Sequence, residues 1–198
     1  MEIFSFIFSA TSAYVLGSFS TSIVLSQVFN TKDPREHGSN NPGATNMLRV
    51  AGLKLGLLTF ICDAMKGFIP VKVASLLGFN PCDLAIVSLM AVVGHIFPLF
   101  YDFKGGKGVA TGIGATFAFS TFIGVFAFAI WSICYYFTKY VSVASICFFT
   151  IVPFLVLCIN NFATSLPFFI MLGLVVFKHR SNIEKLREGL EQKTYLRS

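Results

Sequence analysis

Charged residues are scarce in this chain: Asp, Glu, Lys and Arg together make up only 12% of its 198 residues. The usual share in soluble domains is roughly 25%. Intrinsic disorder is excluded, because it requires low hydrophobicity and high charge. Hydrophobic residues form 55% of the chain, and the mean hydropathy is +0.76. A domain of this size cannot bury so many apolar side chains in water, so an ordinary soluble enzyme is excluded as well.

The cysteines lack the spacing of a metal or redox site. The chain has five, and no two of them form a Cys-x-x-Cys pair. An odd, scattered set also excludes a small disulfide-stapled secreted domain. We expect buried free thiols, with no metal and no cofactor. The cysteines are Cys62, Cys82, Cys134, Cys147 and Cys158.

Long apolar stretches are abundant, and one bilayer crossing requires about 20 such residues. The last stretch is much longer than one crossing, and weak polar breaks within it fit four short helices. The stretches cover residues 3–29, 53–79, 84–100 and 109–177, with breaks near 120–121, 138–140 and 160–167. We therefore predict an all-α polytopic membrane helix bundle of about seven transmembrane helices, forming a single domain over residues 1–198.

The distribution of basic residues predicts the orientation of this bundle. With the N-terminus outside, the cytoplasmic segments would hold 13 of the 15 Lys and Arg residues, counting Lys54 at a helix start. Those segments are about 30–52, 101–108, 138–141 and 178–198. This bias follows the positive-inside rule and places the C-terminus in the cytoplasm. The net charge of +6 therefore reflects topology and anionic ligands, and no nucleic acid is expected. The first stretch has no basic residues before it, as a signal peptide would, and is expected to stay as a membrane helix.

The first polar segment runs from Gly38 to Arg49. Gly38 and Gly43 allow backbone N–H groups to approach an anion closely. Thr45 or Asn46 is expected to cap the helix that follows, whose N-terminus would favour a phosphate. Arg49 can hold a phosphate through two parallel hydrogen bonds. Taken alone, the segment fits a polar loop before a capped helix equally well.

The second polar segment contains Lys104, Gly105, Gly106, Lys107 and Gly108 in succession. Such a loop can wrap backbone amides around an oxyanion while a lysine supplies charge. It is not a Walker P-loop, because a glycine follows the last lysine where that motif needs Ser or Thr. A positive-inside loop would explain the two lysines but not the three glycines around them.

The third polar segment places His179 and Asn182 three residues apart, which puts them on one face of a helix. A histidine beside a phosphate can donate a hydrogen bond or act as a general base. A basic helix end at the membrane surface explains the segment equally well.

Two charged residues fall inside the second apolar stretch. Asp63 and Lys66 are three apart, and charges within a membrane helix are costly. We favour a structural ion pair over a substrate contact. His95, at the end of the third stretch, is interpreted as a core or supporting residue and not as a catalytic one.

Together, the three polar segments resemble the glycerol-3-phosphate acyltransferases of the PlsY family, which are bacterial inner-membrane enzymes. The motifs of that family read roughly GSGNxGATNxxR, GHxxPxFxxFKGGKGVAT and HRxNIxRLxxGxE. This chain matches them at residues 38–49, 94–111 and 179–191, with Lys185 in place of Arg. Asn40 stands where the family usually has Gly. Because Asn tolerates positive φ better than other non-glycine residues, we expect the loop to be preserved.

The resemblance implies which residues form the site, and it places that site at the cytoplasmic membrane surface. The residues implied to bind phosphate and to be catalytic are Ser39, Arg49, Lys107, His179 and Asn182. The surrounding residues expected to contact substrate are Gly38, Asn41, Gly43, Thr45, Asn46, Lys104, Gly105, Gly106 and Gly108.

The resemblance also implies the reaction. A fatty acyl group would pass from acyl phosphate to the C1 hydroxyl of glycerol 3-phosphate, giving lysophosphatidic acid and phosphate, the first step of phospholipid synthesis. Acyl phosphate is already activated, so charge compensation and orientation suffice and no covalent acyl-enzyme is expected. A substrate phosphate oxygen is the favoured base, with His179 as a hydrogen-bond donor or orienter. His179 as the base is the alternative. A soluble acyl-phosphate synthase is the implied partner.

Two other classes of membrane protein share some of these features. A small transporter of a phosphate compound would have similar helices and anion-binding loops. Transporters often contain inverted repeats and helices broken at mid-membrane, whereas here no repeat is visible and the polar motifs cluster on one face. A non-catalytic scaffold would not require three polar motifs that contain glycine.

Overall fold

A computed structural model describes residues 2–194. This part of the chain forms ten helices joined by loops and contains no strand. This confirms the all-α fold class. The helices are α1 (Glu2–Gly17), α2 (Thr21–Val28), α3 (Ala44–Ala51), α4 (Leu53–Leu76), α5 (Pro81–Ile96), α6 (Val109–Phe119), α7 (Thr121–Thr138), α8 (Val141–Ile159), α9 (Phe162–Lys178) and α10 (Arg180–Arg187).

Eight of these helices, α1, α2 and α4 to α9, lie in or overlap the predicted apolar stretches. By length and composition, two helices in the described part, α7 and α8, can each cross a bilayer. The number rises to four if the bent pairs α1–α2 and α9–α10 each form one span. α5 and α6 are apolar but shorter. The number of crossings and the orientation of the termini therefore stay predictions.

The first apolar stretch was predicted as one helix, and this is wrong: α1 and α2 meet at a bend of 42°. The bend leaves the carbonyl oxygen of Phe19 free to accept a hydrogen bond from Lys66 Nζ at 2.7 Å. At the start of α2, the Thr21 hydroxyl donates to Asp63 Oδ1 at 2.9 Å. Asp63 and Lys66 are themselves paired at 2.9 Å, as expected. The break thus supplies polar partners to a buried ion pair.

The third break in the long apolar stretch is shorter than predicted. α8 ends at Ile159 and α9 already begins at Phe162. The Asn161 side chain accepts a hydrogen bond from the backbone N–H of Thr164 at 2.9 Å, which caps α9 at this point. Pro167, predicted to lie in the break, is inside α9.

Glycines bring pairs of helices into close contact. A Cβ atom on Gly67 of α4 would collide with the carbonyl oxygen of Thr111 in α6. In the reverse direction, a Cβ on Gly114 of α6 would collide with the carbonyl oxygen of Ala64 in α4. In the same way, Gly17 of α1 and Gly94 of α5 bring α1 and α5 into close contact. Small residues at helix interfaces are typical of membrane bundles, because packing and not the hydrophobic effect drives association there.

Aromatic and sulfur-containing side chains fill the interior beside these contacts. Phe148 and Phe149 of α8 pack with Phe168 and Met171 of α9, and each of the four is at most 1% exposed. Large apolar side chains also cover the outer faces of α1, α4 and α7. Such extensive apolar exposure fits a surface that faces lipid.

The glycine contact between α4 and α6 generates a stability prediction. Gly114→Ala should destabilise the protein by about 1–3 kcal/mol, the usual effect of overpacking a tight interior. Gly173→Ala is the matched control, because Gly173 is also helical and nothing lies near its added Cβ. Thermal denaturation in detergent would measure both. Equal melting temperatures for the two variants would contradict the role of the glycine.

Candidate active site

A cavity of about 380 Å³ lies where α3, α4, α6, α7, α8 and the start of α10 meet. Its lining combines charged and polar groups with a large apolar surface. The polar residues include Ser39, Thr45, Arg49, Lys107, Ser142, His179, Asn182, Glu191 and Thr194. The apolar residues include Leu48, Leu57, Phe60, Ile113, Phe128 and Trp131. Polar segments far apart in the chain are thus brought to one place.

The five residues expected to bind phosphate, Ser39, Arg49, Lys107, His179 and Asn182, all line this cavity. Gly43 and Thr45 line it as well. The other residues expected to contact substrate are outside the lining, namely Gly38, Asn41, Asn46, Lys104, Gly105, Gly106 and Gly108.

Asn46 holds the loop that carries Ser39. Its Oδ1 accepts a hydrogen bond from the Ser39 backbone N–H at 2.9 Å. Its Nδ2 donates to the carbonyl oxygens of Pro34 and His37 at 2.8 and 2.9 Å. Asn46 is therefore a clamp within the loop and not a helix cap. The predicted cap at Thr45 or Asn46 is wrong, because Gly43 is the N-cap of α3 and no side chain caps that helix.

The backbone of the same loop follows the expectation for Asn40. Gly38 has φ of +68° and Asn40 has φ of +56°, both in the left-handed region. Asn reaches this region more readily than other residues with a Cβ. The loop therefore keeps its left-handed turn with Asn in place of the usual glycine of the family.

The glycines of the second segment serve packing. The N–H groups of Gly105 and Gly106 donate to the carbonyl oxygens of Ile96 and His95, each at 3.2 Å. A Cβ on Gly106 would collide with His95 Nε2. Contrary to expectation, these two amides are not free to bind an anion. Lys104 is exposed to solvent.

His95 packs against this loop. Its ring Nδ1 forms a hydrogen bond with the Thr111 hydroxyl at 3.1 Å and lies 3.8 Å from Asp63 Oδ1. The side chain is buried at 7% exposure and also lines the cavity. These contacts agree with the interpretation of His95 as a supporting residue.

Four helices begin at the cavity without a side-chain cap. The N-cap residues of α3, α4, α6 and α8 are Gly43, Gly52, Gly108 and Tyr140, and none of these provides a capping hydrogen bond. The first residue of each helix lines the cavity. The first N–H groups of a helix lack partners within it and carry partial positive charge, which favours an anion. By contrast, α5, α7 and α9 are capped by Asn or Ser side chains and begin away from the cavity.

Lys107 begins a polar chain across the cavity wall. Its Nζ donates to Asn182 Oδ1, and Asn182 Nδ2 donates to Glu191 Oε1 at 2.6 Å. Burial lowers the pKa of Lys107 to about 8, although the nearby Glu191 carboxylate opposes this shift. Arg49 lowers the Lys107 pKa further through charge repulsion. The lysine is thus charged at neutral pH but close to its titration point.

Arg49 forms no ion pair with a carboxylate in the part of the chain that the structure describes. Its Nη2 lies 3.4 Å from Thr194 Oγ1 and 3.5 Å from the carbonyl oxygen of Gln192, which are long contacts. Thr194 is fixed by Tyr135, whose hydroxyl donates to the Thr194 carbonyl at 2.7 Å. The guanidinium charge is therefore available to an anion. The contribution of Thr194 was missed, because no sequence motif contains it.

His179 is buried where α9 ends and α10 begins. Its Nδ1 lies 2.8 Å from the carbonyl oxygen of Val175. A carbonyl can only accept a hydrogen bond, so Nδ1 carries a proton and Nε2 of the neutral ring is an acceptor. Between residues 2 and 194 no group of three or more His, Cys, Asp or Glu could hold a metal ion.

A family model described as glycerol-3-phosphate acyltransferase matches residues 7–189. The chain belongs to the glycerol-3-phosphate acyltransferase family. It is 43% identical over 189 residues to the glycerol-3-phosphate acyltransferase of Legionella pneumophila strain Corby, covering 95% of this chain and 68% of that one. It is 40% identical over 181 residues to that of Francisella tularensis subsp. holarctica strain OSU18, covering 91% and 89%.

Two crystal structures of a family member, the integral membrane glycerol 3-phosphate acyltransferase PlsY (YgiH), share this fold. The glycerol 3-phosphate form has a TM-score of 0.91 and 35% identity, with 96% of each chain covered. The lysophosphatidic acid form has a TM-score of 0.86 and 34% identity, with 97% of this chain and 96% of that one covered. The chain is thus an integral membrane acyltransferase of this family.

The titration of Lys107 generates a prediction for anion binding. As the pH rises above about 8, Lys107 loses its charge, and the dissociation constant for inorganic phosphate should rise by up to about tenfold per pH unit. In Lys107→Arg the charge persists at high pH, so this rise should be absent. Calorimetric titration with phosphate from about pH 7.5 to 10 would measure both proteins. A wild-type dissociation constant that stays flat over this range would contradict the role of Lys107.

Proposed function

We propose that the protein transfers a fatty acyl group from acyl phosphate to the C1 hydroxyl of glycerol 3-phosphate, releasing lysophosphatidic acid and phosphate. The observation that carries this proposal is one cavity that holds Arg49, Lys107 and the uncapped N-termini of α3, α4 and α6 beside an apolar lining. Such a cavity suits a phosphate attached to a lipid chain. The two PlsY structures, in glycerol 3-phosphate and lysophosphatidic acid forms, support this acceptor and this product.

The acceptor phosphate is bound by the groups at the polar part of the cavity. Arg49 and Lys107 compensate its charge, and charge-assisted hydrogen bonds of this kind are the strong ones. Ser39 and Asn182 contribute directed polar contacts. Asn182 also bonds to Lys107 and Glu191, so its amide orientation is fixed before substrate arrives.

The acyl transfer needs no covalent enzyme intermediate, because the acyl group of acyl phosphate is already activated. The C1 oxygen of glycerol 3-phosphate forms a bond to the acyl carbon. The bond between that carbon and the phosphate oxygen breaks, and its electron pair leaves with the phosphate. The enzyme contributes by neutralising two phosphate groups that repel each other and by orienting the hydroxyl.

A phosphate oxygen of the substrate takes the proton from the C1 hydroxyl in this mechanism. His179 Nε2 accepts a hydrogen bond from a substrate hydroxyl and orients it, because Nδ1 is occupied by the Val175 carbonyl. General base catalysis by His179 is the alternative, and the same free Nε2 would serve it.

The protein acts in the bacterial inner membrane, with the active site on the cytoplasmic face. The positive-inside distribution of Lys and Arg supports this placement. In that orientation the cavity is reached by glycerol 3-phosphate from the cytoplasm and by acyl phosphate from the bilayer or from a soluble acyl-phosphate synthase.

A donor comparison tests the proposed function. Acyl phosphate, acyl-CoA and an acyl carrier protein thioester would each be offered to purified protein with glycerol 3-phosphate. Lysophosphatidic acid and phosphate should appear with acyl phosphate alone. Turnover with a thioester and none with acyl phosphate would overturn the proposed donor.

The same assay includes a variant of the phosphate-binding arginine. Arg49→Ala should lower kcat/KM by about 10²–10³, the usual effect of losing one transition-state donor. Arg180→Ala is the matched control, since Arg180 is exposed and outside the cavity lining.

A glutamine variant distinguishes the two candidate bases. His179→Gln keeps a hydrogen-bonding side chain but cannot take up a proton. With a substrate phosphate as base, its kcat should stay within about tenfold of wild type. A kcat loss of more than about 10² with a flattened acid limb in the pH profile would assign the base to His179.

A further inference from the structure

One hydroxyl group in the cavity wall is not used by the contacts proposed above. Ser142 lines the cavity at 5% exposure, and its Oγ has no hydrogen-bond partner in the described part of the chain. An unpaired buried hydroxyl is unfavourable, because it has lost water and gained nothing. Such a group in a cavity wall indicates a partner that arrives with the substrate.

The neighbouring serine does not share this property. Ser145, one turn further along α8, donates to the carbonyl oxygen of Val141 at 2.7 Å. It also accepts from Trp131 Nε1 at 3.4 Å. Ser145 is therefore satisfied within the protein, and of the two α8 serines that line the cavity Ser142 is the one with an unpaired hydroxyl.

The position of Ser142 in its helix adds further hydrogen-bond donors. Ser142 is the second residue of α8, and no side chain caps that helix. Val141 and Ser142 both line the cavity. The first backbone N–H groups of α8 are therefore uncapped beside the Ser142 hydroxyl, and a rotation about one bond of the serine can turn its O–H toward a ligand.

The charges in the cavity decide which ligand oxygen fits there. The cavity cations in the described chain are Arg49 and Lys107, which contact the C-terminal segment and Asn182, respectively. Neither contacts Ser142. A full phosphate charge is best matched by cations. Neutral N–H and O–H donors suit an oxygen on which charge develops only during the reaction.

We propose that the Ser142 hydroxyl and the first N–H groups of α8 bind the carbonyl oxygen of the acyl group. As the C1 oxygen attacks the acyl carbon, the carbonyl electron pair moves onto this oxygen and these donors stabilise it. The pair returns when the leaving group departs. The assignment rests on the proposed function only in requiring acyl transfer to a hydroxyl, and it holds for any acyl leaving group.

Kinetics of a serine variant test the assignment. Ser142→Ala should lower kcat by about 10²-fold, as expected for loss of one oxyanion donor, with the KM for glycerol 3-phosphate unchanged. Its melting temperature should equal that of wild type, because the hydroxyl makes no bond in the free protein. Thr150→Ala is the matched control on the same helix, because Thr150 is exposed and bonds only to the Ile146 carbonyl at 2.8 Å.

A transition-state analogue gives a second readout that a structural role would not move. An alkylphosphonate ester at the C1 oxygen of glycerol 3-phosphate places a tetrahedral, charged oxygen where the acyl carbonyl would be. Its inhibition constant should rise in Ser142→Ala by about the same factor by which kcat/KM falls. Free glycerol 3-phosphate should bind both proteins equally.

An unchanged kcat in Ser142→Ala, or an unchanged inhibition constant for the phosphonate, would overturn the assignment. A rise only in the KM for the acyl donor would also overturn it, and would indicate that Ser142 binds the phosphate of the donor. The variant is measured with whichever donor the wild-type protein uses. Failure of the acyl phosphate proposal therefore appears in the wild-type assay, whereas failure of the Ser142 proposal appears only in the variant.

Discussion

Asp63 and Lys66 form an ion pair inside an otherwise apolar helix, and the polar end of the bundle is arranged around it. Charges in a region of low dielectric constant must be paired and hydrogen-bonded. The pair obtains its further partners from the break between α1 and α2, where a backbone carbonyl and the Thr21 hydroxyl become available. On its other side lies His95, which packs against the loop that ends at Lys107. One buried pair thereby connects the first helices with the wall of the active-site cavity.

In the proposed mechanism, the backbone supplies many of the groups that bind anions in the cavity. Four helix N-termini without side-chain caps meet there, those of α3, α4, α6 and α8. By contrast, α5, α7 and α9 begin away from the cavity and are capped by Asn or Ser side chains. Leaving N–H groups unpaired costs stability unless a ligand takes the place of the cap. The same cavity holds only two cationic side chains in the described chain, which limits repulsion within a partly buried site. In this proposal, the attraction for a phosphate is divided between the helix N-termini and the side chains of Arg49 and Lys107.

Local sequence patterns predicted the structure correctly where the feature depends only on residues close together in the chain. The left-handed turn at Asn40 and the ion pair three residues apart in α4 followed from conformational preference and from helix geometry. The break after Gly17 was missed, because the residues that it contacts, Asp63 and Lys66, lie more than 40 residues away in the chain. Gly105 and Gly106 were assigned to anion binding, although the close approach of His95 accounts for them. No local sequence pattern indicated that Ser142 and Thr194 would line the cavity.

The sequence by itself determined that the chain is an apolar helical bundle with three polar segments, and it predicted phosphate-binding side chains within those segments. Hydropathy and side-chain chemistry act over a few residues, so a linear pattern records them. Only the tertiary structure decided that Ser39, Arg49, Lys107, His179 and Asn182 share one cavity. It also decided which amides are consumed by packing and that the α8 hydroxyl is left unpaired. These features depend on how closely distant helices approach, and that distance is set by contacts between residues far apart in the chain.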